Sequence, residues 1–587
     1  MYEFIYQSNY FLNLIPSFIT LLIFFIFSII VSAFFENNKI KFFYQYNLAI
    51  IFISIIIIYT FLFNIFILFQ LQEYFNKLYI FLISIKLIII IINIDKIRLF
   101  RKNLSIPKFN LSEKYVIFVL LVFLVISFLP ISDADSIANH QYFATYAFLN
   151  GLDNFNIDKY YEFSTFSNSE VILIFSPILK SDNFGALLNI SIIIFFFFLN
   201  RKNKNSLFLF LISCPLIIFF ISTQKLQLFF AFLFLMLFIF IHTDKIKSKF
   251  EISIFIFLLF FYISGKLSYI LIGGPLYIYF ILKEIKNLKF ILLISIICFV
   301  FTIFPILLIK YYYFGNPLAP FFDSTFNNGR LSMESYALSV RSSEGWLLNP
   351  SNYSIYLKPF IPTSLGSMSN SLGIIFLLFL FNFTLLKKLK FFPILIITIV
   401  VLTGQLLPRY YFEAFLILSY FYEIKRYKII TLIAYFQSFG ILILSLSFVF
   451  ISYINENVLA NKVNFMNRFS YSYFNALQYN KLKLDKNIYV VSQDRDSIFF
   501  EENIFSNRYL SNRNLINNNE NKNLINFINE NSIKYIVTND LVDFPKCLGL
   551  KKIDEIYQKK STRNFLLNNK NAKEIYNVYI INLNCKI

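Results

Sequence analysis

The sequence predicts an α-helical polytopic membrane protein of about fourteen transmembrane helices, followed by a small extracytoplasmic α/β C-terminal domain. Three observations carry that expectation. Of the 587 residues 58% are hydrophobic and only 15% charged, which excludes an ordinary soluble globular protein. Apolar stretches of the roughly 17–20 residues needed to cross a bilayer recur along the chain. The short loops between them alternate between Lys/Arg-rich and Lys/Arg-poor, as cytoplasmic retention of basic loops requires.

The expected spans are 10–34, 46–70, 77–94, 115–131, 184–200, 206–222, 226–242, 250–265, 267–283, 289–309, 372–386, 391–407, 410–424 and 429–453. The opening MYEFIYQSNY carries Glu3 and no basic residue. It therefore lacks the n-region of a cleaved signal peptide, and the first span is read as retained. The basic loops are marked by Lys39 and Lys41, by Lys96, Arg98, Arg101 and Lys102, by Arg201, Lys202 and Lys204, by Lys245, Lys247 and Lys249, and onward to Lys425, Arg426 and Lys428. They account for much of the net charge of +20, so no nucleic-acid partner is invoked. The expected setting is a bacterial inner (cytoplasmic) membrane, crossed many times, with membrane lipid as the surroundings.

This alternation places three hydrophilic regions outside: 132–183, 312–371 and 454–587. The chain then divides into N-terminal transmembrane helices (1–114), a core carrying the first two outer loops (115–453), and the C-terminal domain (454–587). The apolar segment 169–180 is too short to span and is placed in the interface. In the tail, Ile488-Tyr489-Val490-Val491 and Tyr535-Ile536-Val537-Thr538 read as strands around a helical stretch from Asn521 to Asn531. Cys547 and Cys585 would face an oxidising compartment, where a disulfide or two free thiols are both open readings; a bridge would contribute roughly 3–4 kcal/mol. Cys214 and Cys298 read as small hydrophobes within spans.

The chemistry concentrates where the first outer loop begins. Ser132-Asp133-Ala134-Asp135 follows an apolar span directly, and His140, one of two histidines, comes five residues later. Ile137, Tyr142, Phe143, Tyr146, Ala147 and Leu149 recur at near-helical spacing, predicting an amphipathic interfacial helix from Ser136 to Leu149. An aspartate at its start is commonly a helix cap. One cap explains one aspartate and leaves the other for function, with Asp133 nearer the span. Cationic residues expected on the same side are Lys225, Lys266, Arg330, Arg341 and Arg409. Lys225 and Lys266 also fit snorkelling at helix ends, and Arg409 also fits a pair with Glu413 four residues on. Trp346 fits sugar stacking or, more commonly, anchoring in the headgroup layer.

An acidic pair at the outer end of a span, a following amphipathic helix, many further spans and an outer C-terminal domain resemble the GT-C membrane glycosyltransferases, which include aminoarabinose and protein mannosyl transferases. The segments Gly315-Asn316-Pro317-Leu318-Ala319-Pro320-Phe321-Phe322 and Pro408-Arg409-Tyr410 resemble stretches in bacterial members of that group. In this chain the acidic pair follows the fourth expected span rather than the first. The resemblance implies an enzyme that moves a sugar from a polyprenyl-phosphate donor to a glycan, lipid or protein acceptor at the outer face, with inversion. Such a transfer needs a base for the acceptor hydroxyl and cations for the departing phosphate. Asp133, with Asp135, is the expected base. The same carboxylates could instead ligate a divalent cation, Mg or Mn. His140, Lys225, Lys266, Arg330, Arg341 and Arg409 are the expected substrate-binding residues. Two other classes fit the composition: a polymerase or ligase of lipid-linked oligosaccharides, and a transporter or flippase, for which Gly273-Gly274-Pro275 is the one helix interruption visible.

Overall fold

The computed structural model describes residues 10–37, 47–95, 109–133, 135–152, 161–200, 206–242, 248–319, 322–326, 357, 359–362, 370–403, 407–422, 428–482, 484–491, 504–506, 521–539, 544–559, 573–582 and 584. The chain is mostly helical and ends in a small sheet. Among the described residues five helices are long and apolar enough to cross a membrane: Leu14–Phe34, Asn47–Leu68, Gln72–Ile92, Ile285–Thr302 and Ile429–Asn455. The expected count of about fourteen spans is therefore not supported.

The physical reason lies in how the other apolar stretches are cut. The stretch 206–222 divides at Cys214-Pro215 into Ser206–Ile212 and Leu216–Ile221. The stretch 289–309 keeps its first part in the crossing helix Ile285–Thr302 and breaks ahead of Pro305, leaving Phe304–Phe314 as a separate piece. The stretch 372–386 divides at Phe381-Asn382, where the Asn382 side chain caps the second piece, Phe383–Lys388. Others are short helices enclosed by protein. The helix Gln227–His242 is buried from Gln227 through Ile241 and packs against Phe184–Asn200, Lys249–Ser264 and Phe412–Phe421. Apolarity all round a helix marks burial, in lipid or in protein alike.

Two local segments take a more definite form. The segment 169–180 forms the short helices Asn168–Ile172 and Phe175–Ile178, and its residues Val171 through Phe175 are fully buried within the protein. In place of an amphipathic helix from Ser136, a π-helical turn Ser136–Gln141 leads into Tyr142–Asn150. Tyr142 through Ala147 are all buried, so this helix has no wet face over that stretch. Phe143 stacks on Phe166 at 4.3 Å, and Phe163 abuts Tyr142 and Tyr146.

The helix Leu111–Ser127 leads to the acidic pair. It begins on a reciprocal cap, with Asn110 Oδ1 accepting from the Glu113 amide at 2.8 Å and Glu113 Oε2 from the Asn110 amide at 2.9 Å. It stops just before Pro130, whose ring disfavours helix in the residue ahead of it.

In the C-terminal domain we number the strands β1 (Asn487–Val490), β2 (Ile504–Ser506), β3 (Ile533–Thr538), β4 (Lys551–Lys559) and β5 (Lys573–Ile580). Their order is β2-β1-β3-β5-β4. β1 runs parallel to β2 and β3, whereas β5 runs antiparallel to β3 and β4. Alternation in β1 sends Tyr489 to a face covered by Leu524, Phe527 and Ile528 of the helix Asn521–Glu530. Ile488 and Val490 go to the opposite face with Tyr479 of the helix Tyr471–Lys481. Both predicted strands and the predicted helix are thus present. Cys547 is disulfide-bonded; Cys585 lies outside the described residues, and its neighbour Asn584 donates to the Cys547 carbonyl at 2.9 Å. Cys214 and Cys298 are free and buried.

Candidate functional site

The loop after Leu111–Ser127 brings both aspartates to one lysine. Lys225 lies between the helices Leu216–Ile221 and Gln227–His242. Its Nζ stands 3.0 Å from Asp135 Oδ2 and 3.3 Å from Asp133 Oδ2, and 4.8 Å from the Phe219 ring centre. Asp133 Oδ2 also accepts from the Ser136 amide at 2.9 Å and the Ser136 hydroxyl at 2.8 Å. Asp133 is accordingly the cap of the π-helical turn as well as half of an ion pair.

Charge regulation follows from that geometry. Burial works to raise the Asp133 pKa, but Lys225 and the Ser136 bonds together hold it below the usual carboxylate value. Burial pulls Lys225 down to about 8, against the pull of Asp133 and with repulsion from Arg409 adding to it. Lys225 thus titrates near neutrality rather than in the usual lysine range.

Beyond Lys225 two further cations converge on Tyr410, in the turn Pro408–Tyr411. Lys266 Nζ lies 4.6 Å and Arg409 Cζ 5.2 Å from the ring centre, and Arg409 Nη2 reaches the phenol oxygen at 3.5 Å. Burial opposes ionisation of the phenol, yet Lys266, Arg409 and Lys225 outweigh it and bring the pKa to about 7. Arg409 is four residues from Glu413, but Glu413 Oε1 accepts from the Tyr262 hydroxyl at 2.8 Å.

His140 occupies the other flank of the π-helical turn. Its Nδ1 meets Glu170 Oε1 at 2.5 Å. Glu170 Oε2 caps Ser167–Ile172, accepting from the Ser167 amide and hydroxyl at 2.7 and 2.6 Å. The Ser167 hydroxyl also reaches the carbonyl of Gly265, next to Lys266, at 2.6 Å.

Five of the residues singled out in the sequence, Asp133, Asp135, Lys225, Lys266 and Arg409, therefore share one electrostatic neighbourhood, with His140 on its margin. Arg330, Arg341 and Trp346 lie outside the described residues. Sequence reasoning missed Tyr410, Glu170 and Lys310. Glu170 carried a legible signal, since Ser167-Asn168-Ser169-Glu170 is a capping-box pattern. Lys310, fully buried, donates to the carbonyls of Ser164 and Ala319 at 2.8 and 2.6 Å. It thereby ties the Gly315–Ala319 segment to the turn Tyr161–Thr165.

A divalent cation fits this donor set poorly. Among the described residues no group of three or more His, Cys, Asp or Glu side chains converges. The two aspartates that do converge share the Lys225 ammonium. Both carboxylates are paired with Lys225, and no step is assigned to a metal.

Among known proteins, no family model, no curated protein and no solved structure matches this chain.

Proposed function

We propose that this protein is a membrane glycosyltransferase that moves a sugar from a polyprenyl-phosphate donor to an acceptor hydroxyl of a glycan, lipid or protein, with the site and the C-terminal domain on the outer face. The observation that carries the reading is Lys266 and Arg409 on the Tyr410 ring, with Lys225 near enough to act on its hydroxyl, beside the carboxylates of Asp133 and Asp135. Three cations suit a phosphate: arginine offers two parallel donors and lysine a point charge. The adjoining carboxylates suit a proton acceptor.

In the proposed reaction the acceptor oxygen bonds to the anomeric carbon as its proton passes to Asp133 or Asp135. The carbon–oxygen bond to phosphate breaks, and its electron pair leaves on the phosphate oxygen facing the three cations. The result is inversion. The same cations also suit a ligase or polymerase of diphosphate-linked glycans, whose donor carries one more phosphate.

The test is binding of decaprenyl phosphate to the purified full-length protein in lipid nanodiscs between pH 6 and 9. The phosphate site is intact while Lys225 is protonated and Tyr410 is neutral. Binding should weaken as pH rises through about 7 to 8. Binding that is absent, or unchanged over that window, contradicts the reading.

A further inference from the structure

A second set of buried polar contacts runs from the stem of the C-terminal domain to Asp133. The helix Lys462–Phe469 begins with Lys462, a position at which the helix dipole disfavours a cation. Its ammonium nevertheless sits 2.8 Å from Asp182 Oδ2, with both side chains almost fully buried. The Asp182 backbone carbonyl accepts from Gln224 Nε2. Gln224 Oε1 in turn accepts from the Gly185 amide at 2.7 Å, at the start of Phe184–Asn200. A Cβ at position 185 would crowd that oxygen and stand 2.9 Å from the Gln224 backbone carbonyl oxygen, so the close approach favours glycine. The Gln224 amide donates to the Ser136 hydroxyl at 3.1 Å, and that hydroxyl donates to Asp133. Gln224 and Ser136 are fully buried, and Gln224 is bonded in sequence to Lys225.

We infer that Gln224 is a positioning residue through which the Lys462–Asp182 ion pair, on the stem of the C-terminal domain, sets the alignment of Asp133 with Lys225. The assignment of phosphate to Lys225 rests on the function proposed above; the chain of contacts does not. Gln224 satisfies two groups of the stretch 182–185 with its side chain and the Ser136 hydroxyl with its backbone. A shift of the stem therefore reaches Asp133 through groups that have no water to take their place. Breaking one half of such a buried pair leaves an uncompensated charge, whereas removing both charges together is close to neutral for folding.

That asymmetry supplies the test. In nanodiscs, the full-length double variant Lys462→Met/Asp182→Asn should fold and bind decaprenyl phosphate at pH 6 within about twofold of the unaltered protein. With Asp133 no longer held against it, Lys225, which titrates at about 8, should lose its proton earlier; a fall of one pKa unit makes binding at pH 8 about fivefold weaker. Lys462→Arg should keep the original pH profile. An unchanged profile in the double variant, or an equal loss at every pH, overturns the inference. If the unaltered protein binds no decaprenyl phosphate, the proposed function falls and the contact chain is tested by unfolding. Lys462→Met and Ser136→Ala alter opposite ends of it, and their effects on the unfolding midpoint should be non-additive. Simple additivity overturns the inference.

Discussion

The two ends of the polar site are held together by opposite electrostatics. At the Asp133–Asp135–Lys225 end, unlike charges touch at 3.0 and 3.3 Å and Ser136 completes the shell. At the Lys266–Arg409–Tyr410 end, like charges gather round one aromatic ring and lower the acidity threshold of its hydroxyl. The first arrangement stabilises the fold. The second gathers like charges that repel each other, and a bound anion would relieve them. Lys225 belongs to both ends, so the state of the first sets the charge available to the second.

The sharpest way to break this contrast is Lys225→Met. It leaves two partly buried carboxylates facing each other, a cost of about 3–5 kcal/mol for a fully buried pair. We expect a lower unfolding midpoint and decaprenyl-phosphate binding reduced on the order of a hundredfold, read on the same nanodisc sample. Retained binding would show that the two ends are independent. Arg409→Gln should leave folding nearly unchanged and weaken binding about tenfold, the worth of one charge-assisted hydrogen bond of about 1.5 kcal/mol. Lys266→Gln should act alike with a smaller effect, since a point charge lacks the second donor.

Tyr410→Phe tests the second end without removing a cation. The phenol is neutral below about pH 7 and anionic above it, where under the proposed function it would compete with phosphate. The variant should match the original protein at pH 6 and bind a few-fold more tightly at pH 8, roughly within one pKa unit. The smallest effect expected is on acid stability. The folded-state pKa values of Asp133 and Glu170 are depressed. Their stabilisation is therefore present above the unfolded carboxylate values near pH 4 and is lost as pH falls through the folded ones. An acid titration of unfolding should be shallower for Asp133→Asn.

What the sequence disclosed follows from which physical quantities have a local signature. The C-terminal strands and helix were legible because alternation in Ile488-Tyr489-Val490 and the turn-rich flanks act locally. The site cations were legible because charge at the margin of apolar stretches is costly. The span count was not, because an apolar helix enclosed by protein, such as Gln227–His242, has the same composition as one enclosed by lipid. Helix breaks at Pro215 and Asn382 were hidden within runs that averaged as continuous. Tyr410 stood out only as part of a motif, because nothing in the chain order of Lys266 and Arg409 indicates that they meet on one ring, or that Lys225 acts on its hydroxyl. Gln224 was invisible for the same reason: its partners are Ser136, Asp182 and Gly185, about 40 to 90 residues away.

The central claim is tested most directly by mass spectrometry of lipid extracts from cells carrying the unaltered protein, a deletion, or the variants Asp133→Asn and Asp135→Asn. The account predicts that a polyprenyl-phosphate monosaccharide accumulates in the deletion and in at least one of the two variants. Accumulation of diphosphate-linked oligosaccharides would instead point to a ligase or polymerase. Lipid-linked sugars that stay constant across all four strains would contradict the account.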